Sequence, residues 1–265
     1  MQIGICSYSF HRVWAAGQMD FSRYVEVCKE LGCTQLDPWN AHLSELKDPR
    51  QTLSAGRNPG QSHHLAVPSR QHVDRIRATA NAAGVPFGTI AIDGAHIYEP
   101  TESARQENRQ RAYGWLDVAS TLGAKQARID AGGPEEMPDE IFQIIIEGYR
   151  DLIARARPLG IEILVENHWG PTLLPRNVER LMEVVEGLGL LFDTRNWKPG
   201  HKEEAVRQCA KFARATHVKT GNWDAAGNET GTDVADAVSA LRAARYAGAW
   251  GIESVPADGD EIGCG

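Results

Sequence analysis

Short apolar runs alternate with longer amphipathic segments along the whole chain. The first run covers residues 3–10. CTQLD follows Leu31-Gly32, VPFGTIAI follows Ala83-Gly84, and AKQARID follows Leu122-Gly123. IEILVEN follows Leu159-Gly160, LLFD follows Leu188-Gly189, THVK follows residues 213–215, and AWGIE follows Ala247-Gly248. The runs are short and rich in Ile, Val, Leu and Thr, which suits buried parallel strands. The small-residue-plus-Gly step before most of them suits a helix end, where a left-handed residue avoids a Cβ clash only if it is Gly.

The intervening segments have helical spacing. They cover residues 21–31, 71–83, 104–122, 139–158, 175–188, 203–213 and 233–247. Residues 139–158 place Ile141, Phe142, Ile145, Ile146, Tyr149 and Ile153 at that spacing, and Pro68-Ser69 gives an entry signal for the segment at 71. Strands alternating with helices imply a parallel sheet with right-handed crossovers. Eight such units in 265 residues predict an α/β fold, a single-domain (β/α)8 barrel over residues 1–265. No GxGxxG follows the first run, which disfavours an open dinucleotide-binding sheet. A polar stretch at about residues 42–69, including His63-His64, is expected to form either an extended loop after the second strand or a disordered insertion. Too little chain follows the last run for a full closing helix, so the eighth helix is expected to be missing or truncated. The groove beside the last and first strands is then open or covered by a second subunit, as in a homo-oligomer.

Composition narrows the function. Apolar residues make up 42% of the chain, enough for a sizeable core. The net charge of -7, with no dense basic patch, excludes ordinary nucleic-acid binding. Arg105, Arg109 and Arg111 read as a solvated helix face. Five cysteines with no CxxC point to a reducing compartment rather than a disulfide framework. No signal-peptide pattern or apolar span long enough for a bilayer is visible, so a cytoplasmic protein without a membrane partner is expected.

In (β/α) barrels the working residues sit where strands end. ILVENHWG offers Glu166, Asn167 and His168; LLFDTRN offers Asp193 and Asn196; THVKTGN offers His217 and Lys219; GIES offers Glu253. Four consecutive strands thus each present one strong ligand type. Two Glu, one Asp and one His suit a single divalent ion: Mn2+, Mg2+, Co2+ or Zn2+. Without a cation the three carboxylates would repel one another. Trp14, Trp39, Trp169, Trp197 and Trp223 all follow strand ends, where rings can cover the apolar faces of a sugar. His96 and His168 are further candidate substrate contacts. Arg128 and Asp130 either pair with each other or bind substrate oxygens.

The motifs ENH, FDxxN, HVK and GIE resemble those of the xylose isomerase-like barrels called sugar phosphate isomerase/epimerases. ICSYSF, LDPWNAHL and DGAHIYEP extend the resemblance over nearly the whole chain. It implies a metal held by Glu166, Asp193, His217 and Glu253. It further implies that Glu166 and Glu253 exchange a substrate proton from opposite sides, through a metal-stabilised cis-enediolate. Asp193 and His217 are then chiefly ligands. His168, Asn196, Lys219, His96, Trp39 and Trp14 are the expected contacts to a carbohydrate: a keto sugar, a sugar phosphate or a related polyol. Asn196 stands where sugar epimerases of this group often carry His, and Lys219 and Asn222 stand nearest to their usual Arg. The same scaffold also suits an inosose-type dehydratase or a non-catalytic sugar-binding protein. A three-zinc abasic-site nuclease would need further His and Asp ligands that are missing.

Overall fold

The structure is a computed structural model describing residues 1–54, 65–256, 259 and 261. Its elements alternate as the pattern predicts: β1 (Ile3–Ile5), α1 (His11–Ala15), α2 (Phe21–Glu30), α3 (Arg70–Ala83), β2 (Thr89–Ile92), α4 (Glu102–Leu122), β3 (Gln126–Ile129), α5 (Asp139–Ala156), β4 (Glu162–Glu166), α6 (Pro175–Val184), β5 (Gly189–Asp193), α7 (Lys202–Cys209), β6 (Ala213–Thr220), α8 (Thr232–Ala243) and β7 (Trp250–Ser254). The strands pair in parallel in the order β1-β7-β6-β5-β4-β3-β2.

The expected second strand, CTQLD, is not a continuous strand. Residues 36–39 run extended between β1 and β2 and close the ring through isolated bridges, Cys6 with Asp37, Leu36 with Phe87, and Trp39 with Ala91. Leu36 donates its N–H to the Pro86 carbonyl at 2.8 Å, and Ala91 donates to the Pro38 carbonyl at 3.0 Å. Pro38 and Pro86 have no N–H of their own, so the ladder cannot run unbroken.

Side-chain caps fix several helix starts. Asp20 accepts from Arg23 N at 2.9 Å, and Ser69 and Thr101 each accept from the third residue on at 3.3 Å. The helix ends behave as expected at Gly32, Gly84, Gly123 and Gly160, all left-handed. Two glycine steps differ. Before β5 the left-handed residue is Gly187, and before β7 it is Arg245. Gly189 instead lies within β5, where a Cβ would come within 2.5 Å of Leu164 Cδ2; a Cβ on Gly248 would meet the Arg214 carbonyl at 2.5 Å. These glycines make room rather than end helices.

The main core lies between strands and helices, with Trp115, Tyr24, Tyr149 and Phe10 among its largest buried side chains. Inside the barrel, Leu164, Leu191 and Ala215 form a small apolar layer. At one end of that layer a polar chain runs from Asp37 through Gln35, and another from Thr89 through Gln126 to Glu162. The candidate site lies at the other end, where the strands finish. Among the described residues no helix follows β7, and none is long and apolar enough to cross a membrane.

Of the polar stretch at about residues 42–69, short 3-10 turns cover Asn40–Leu43 and Pro49–Ser54. His63-His64 lie outside the described residues.

Candidate metal and sugar site

Register brings the four candidate strand-end ligands together. Asp193 of β5 pairs with His217 of β6, and Lys219, two residues on, pairs with Glu253 of β7. The ligand atoms of Glu166, Asp193, His217 and Glu253 all lie within 4.8 Å of one another, and all four residues are buried. Asn167 ties β4 to β5: its side chain donates to the Asp193 carbonyl at 3.0 Å and accepts from the Asp193 amide at 2.8 Å. Asp193 Oδ1 accepts from the amides of Arg195 and Asn196 at 2.7 and 2.8 Å, a local turn that fixes the carboxylate. Its Oδ2 faces Lys219 Nζ at 3.1 Å.

The other contacts form one charged network. His217 Nδ1 lies 3.1 Å from Glu166 Oε1 and 3.0 Å from Glu253 Oε2. Lys219 Nζ lies 3.1 Å from Glu253 Oε1 and donates to Asn196 Oδ1 at 2.8 Å. Arg128, on β3, reaches Asp93 at 2.5 Å, Asp130 at 3.0 Å and Glu166 Oε2 at 3.0 Å. Arg128 therefore pairs with Asp130, one of the two expected alternatives, and with two further carboxylates. The Arg128–Glu166 and Lys219–Asp193 contacts are close but poorly aligned, so Glu166 Oε2 and Asp193 Oδ2 remain buried without a hydrogen-bond partner. Two orphaned carboxylate oxygens in an oxygen-rich set with one imidazole fit a divalent cation.

Charge sets the protonation of the metal-free chain. Burial works against ionising Glu166, but His168, Arg128 and His217 outweigh it and hold the carboxyl down at about 2. Burial likewise opposes ionisation of Glu253, and Lys219 and His217 overcome it, leaving the group well below the usual range. Asp193 goes the other way, because burial outweighs the help of Lys219. Burial disfavours the His217 and His168 cations, yet the facing carboxylates raise both.

A cavity of about 430 Å³ opens beside this network, within the range of small-molecule sites. Tyr8, His11, Trp39, Trp169, Asp93 and Thr52 line it together with Arg128, Glu166, His168, His217, Lys219 and Glu253. Trp39 donates its indole N–H to Asp93 at 2.8 Å, and His168 Nδ1 lies 3.1 Å from Asp130.

Of the expected sugar contacts, His168, Lys219 and Trp39 line the cavity, and Asn196 touches two of its lining residues, Lys219 and Glu166. His96 and Trp14 are not among the lining residues. His96 turns to Glu99 at 2.6 Å, and Trp14 stacks on His42 at 3.9 Å, one ring away from Trp39. Trp197 packs on Phe192, and Trp223 is partly exposed beyond β6. Strand-end reasoning, applied from the fifth run onward, missed Cys6 and Asp93. Asp93 directly follows the third run, so the same signal would have found it. Cys6 lies inside the run read as residues 3–10 and stands at a strand end only because β1 stops at Ile5.

A family model described as Xylose isomerase-like TIM barrel matches residues 25–262. None of the curated proteins matches the chain by sequence. Solved structures resemble it in fold. The 3-keto-D-glucoside 4-epimerase YcjR from E. coli, in its apo form, is 14% identical with a TM-score of 0.70, over 97% of this chain and 92% of that one. The probable 3-DHS dehydratase AsbF from Bacillus anthracis, involved in petrobactin synthesis, is 14% identical with a TM-score of 0.69, over 99% and 96%. A Xylose isomerase-like TIM barrel protein from Mycobacterium smegmatis, in complex with magnesium, is 16% identical with a TM-score of 0.68, over 98% and 92%.

Proposed function

The chain belongs to the xylose isomerase-like TIM barrel family, and from that membership we propose that it is a divalent-metal-dependent isomerase or epimerase. Its substrate is a keto sugar, a sugar phosphate or a related polyol, and its chemistry is proton transfer between carbon atoms. The observation that carries this reading is the meeting of Glu166, Asp193, His217 and Glu253 donor atoms within 4.8 Å, with Glu166, His217 and Glu253 lining one cavity and Asp193 fully buried beside them. These four residues would hold the ion, which when bound polarises a ketose carbonyl and acidifies the adjacent C–H. The epimerase and the magnesium complex among the structural neighbours support the class.

The chain's own groups do the rest. Glu166 on β4 and Glu253 on β7 flank the two middle ligands, and both are ionised at neutral pH. One removes the proton, and the other or the same one returns it to another carbon or another face. Lys219 keeps a positive charge beside Glu253 and Asp193, where it faces negative charge developing on substrate oxygen. Trp39 and Trp169 cover apolar sugar faces and keep water out.

One observation favours a second reading. His168 lines the cavity with Nδ1 3.1 Å from Asp130, and the facing carboxylates of Glu166 and Asp130 raise its proton affinity against burial, which suits an acid for a departing hydroxyl. A dehydratase would use the same glutamate as base and His168 as proton donor. The dehydratase neighbour supports it.

The test is C–H exchange of candidate ketoses in D2O by Mn2+-loaded protein, read by NMR. We expect exchange beside the carbonyl, and a loss of about 10²-fold or more in Glu166→Gln and in Glu253→Gln. No exchange with any ketose at full metal occupancy would refute the isomerase reading. A product lighter by one water would select the dehydratase.

A further inference from the structure

Cys6 directly follows β1, and its backbone is fixed on both sides. Its N–H donates to the Ile252 carbonyl at 2.8 Å, its carbonyl accepts from Ser9 N at 2.9 Å, and it is bridged to Asp37. The residue is 2% exposed and lines the cavity. Its sulfur forms a second donor group with His217 and Glu253, all three atoms within 4.8 Å of one another. Cys28, Cys33 and Cys209 are also buried and free, but none lines the cavity. The thiol is thus specific to this place in the barrel.

His217 and Glu253 belong to both donor groups. Donors sharing one ion stand roughly 3.5 Å apart, and the Cys6 sulfur already lies within 4.8 Å of the His217 and Glu253 donor atoms, so a modest side-chain shift brings it to an ion that these two residues hold. The buried Asp193 Oδ2 and Glu166 Oε2 have no aligned hydrogen bond and face only the charges of Lys219 at 3.1 Å and Arg128 at 3.0 Å, which leaves both oxygens able to meet a cation at this spot. Oxygen donors suit hard cations, whereas a thiolate selects soft ones.

We infer that Cys6 is a fifth donor of this site, recruited by thiophilic divalent cations such as Zn2+ or Cd2+ and left unused by Mg2+ or Mn2+. The inference rests on the four-residue metal site proposed above. Ligation breaks the S–H bond, forms the sulfur–metal bond and releases the proton to solvent; no electron changes hands. The cavity wall therefore discriminates between metals, since one class of cation draws the end of β1 into the coordination shell and the other does not.

The full-length protein is titrated with Cd2+ and followed by ultraviolet absorption and calorimetry. A thiolate-to-Cd2+ charge-transfer band is expected to grow to one equivalent. In Cys6→Ser the band is lost while Cd2+ still binds, at least about tenfold more weakly. Cys28→Ser and Cys209→Ser keep the band. Mn2+ affinity, read from the electron spin resonance of the free ion, is the same in wild type and Cys6→Ser. Cd2+ bound at one equivalent without the band, or a band that survives Cys6→Ser, overturns the inference. Mn2+ binding without any Cd2+–thiolate band overturns it alone, whereas wild-type protein that binds no divalent cation overturns the metal site as well. If Cys6→Ser does not fold, the 113Cd chemical shift of the wild-type complex decides, because a sulfur ligand moves it downfield and an all-oxygen-and-nitrogen shell does not.

Discussion

Arg128 is 3% exposed and carries a guanidinium that almost no water reaches. Three carboxylates solvate it instead, from Asp93, Asp130 and Glu166. Removing one partner from such a cluster leaves uncompensated buried charge. Arg128→Met should therefore cost about 3–5 kcal/mol at neutral pH. The pH dependence follows from Glu166. Its folded value of about 2 is below its ordinary 4.5, so its contribution to stability is complete above 4.5 and is lost as pH falls toward 2. Without Arg128 the folded value moves back up and that window narrows. Acid unfolding of the metal-free protein, followed by circular dichroism, should begin at higher pH in Arg128→Met than in wild type. An identical acid midpoint in the two proteins would remove Arg128 from this role. Much of the site is legible at this scale because each late run ends in one conspicuous polar residue. The role of Lys219 is less so. Its level with Glu253 comes from the stagger between β6 and β7, and single-strand periodicity contains no stagger.

At the scale of elements, two glycines with similar backbone angles have different tasks. Gly84 ends α3 at φ +75°, and a Cβ there would meet nothing within 4 Å. Gly84→Ala should cost only the left-handed strain, about 1 kcal/mol. Gly170, at φ +57°, follows Trp169 in the loop after β4, where a Cβ would stand 2.2 Å from the Gly133 carbonyl. That neighbour is backbone of the loop after β3 and cannot rotate aside. Gly170→Ala should cost about 2–4 kcal/mol, strain and overpacking together. Urea denaturation of the two variants checks the order, and equal costs would mean that the two loops are not tightly packed. Sequence pattern locates glycines without revealing which task each performs. That is why the steps at Gly189 and Gly248 read as helix ends although both make room. The second run misleads for a related reason: CTQLD has strand composition, but Pro38 and Pro86 limit its pairing to bridges.

At the scale of the whole molecule, residues near the two ends of the chain meet at the rim of the cavity. Glu261 is 1% exposed, and its carboxylate accepts from the amides of Arg12 and Val13 at 2.9 and 3.0 Å. It also lies 3.1 Å from His11 Nδ1, and Arg12 reaches back to the Pro256 carbonyl at 3.3 Å. Charge and capping thus fasten α1 in place where a closing helix would otherwise bind the last strand to the first. His11 lines the cavity and stacks on Tyr8 at 4.3 Å, so this fastening also shapes the site. Glu261→Ala strands two amides and should cost about 2–4 kcal/mol, a fall in melting temperature of roughly 5–15 °C for a domain of this size. Glu261→Gln keeps one acceptor oxygen and should lose less than half as much. If Glu261→Ala melts with wild type, the contact adds nothing to the closure of the barrel, and the first and last strands are held by their own ladder. If both variants melt early yet bind Mn2+ normally, the fastening supports the rim without reaching the four proposed ligands, as expected from their placement on β4 to β7.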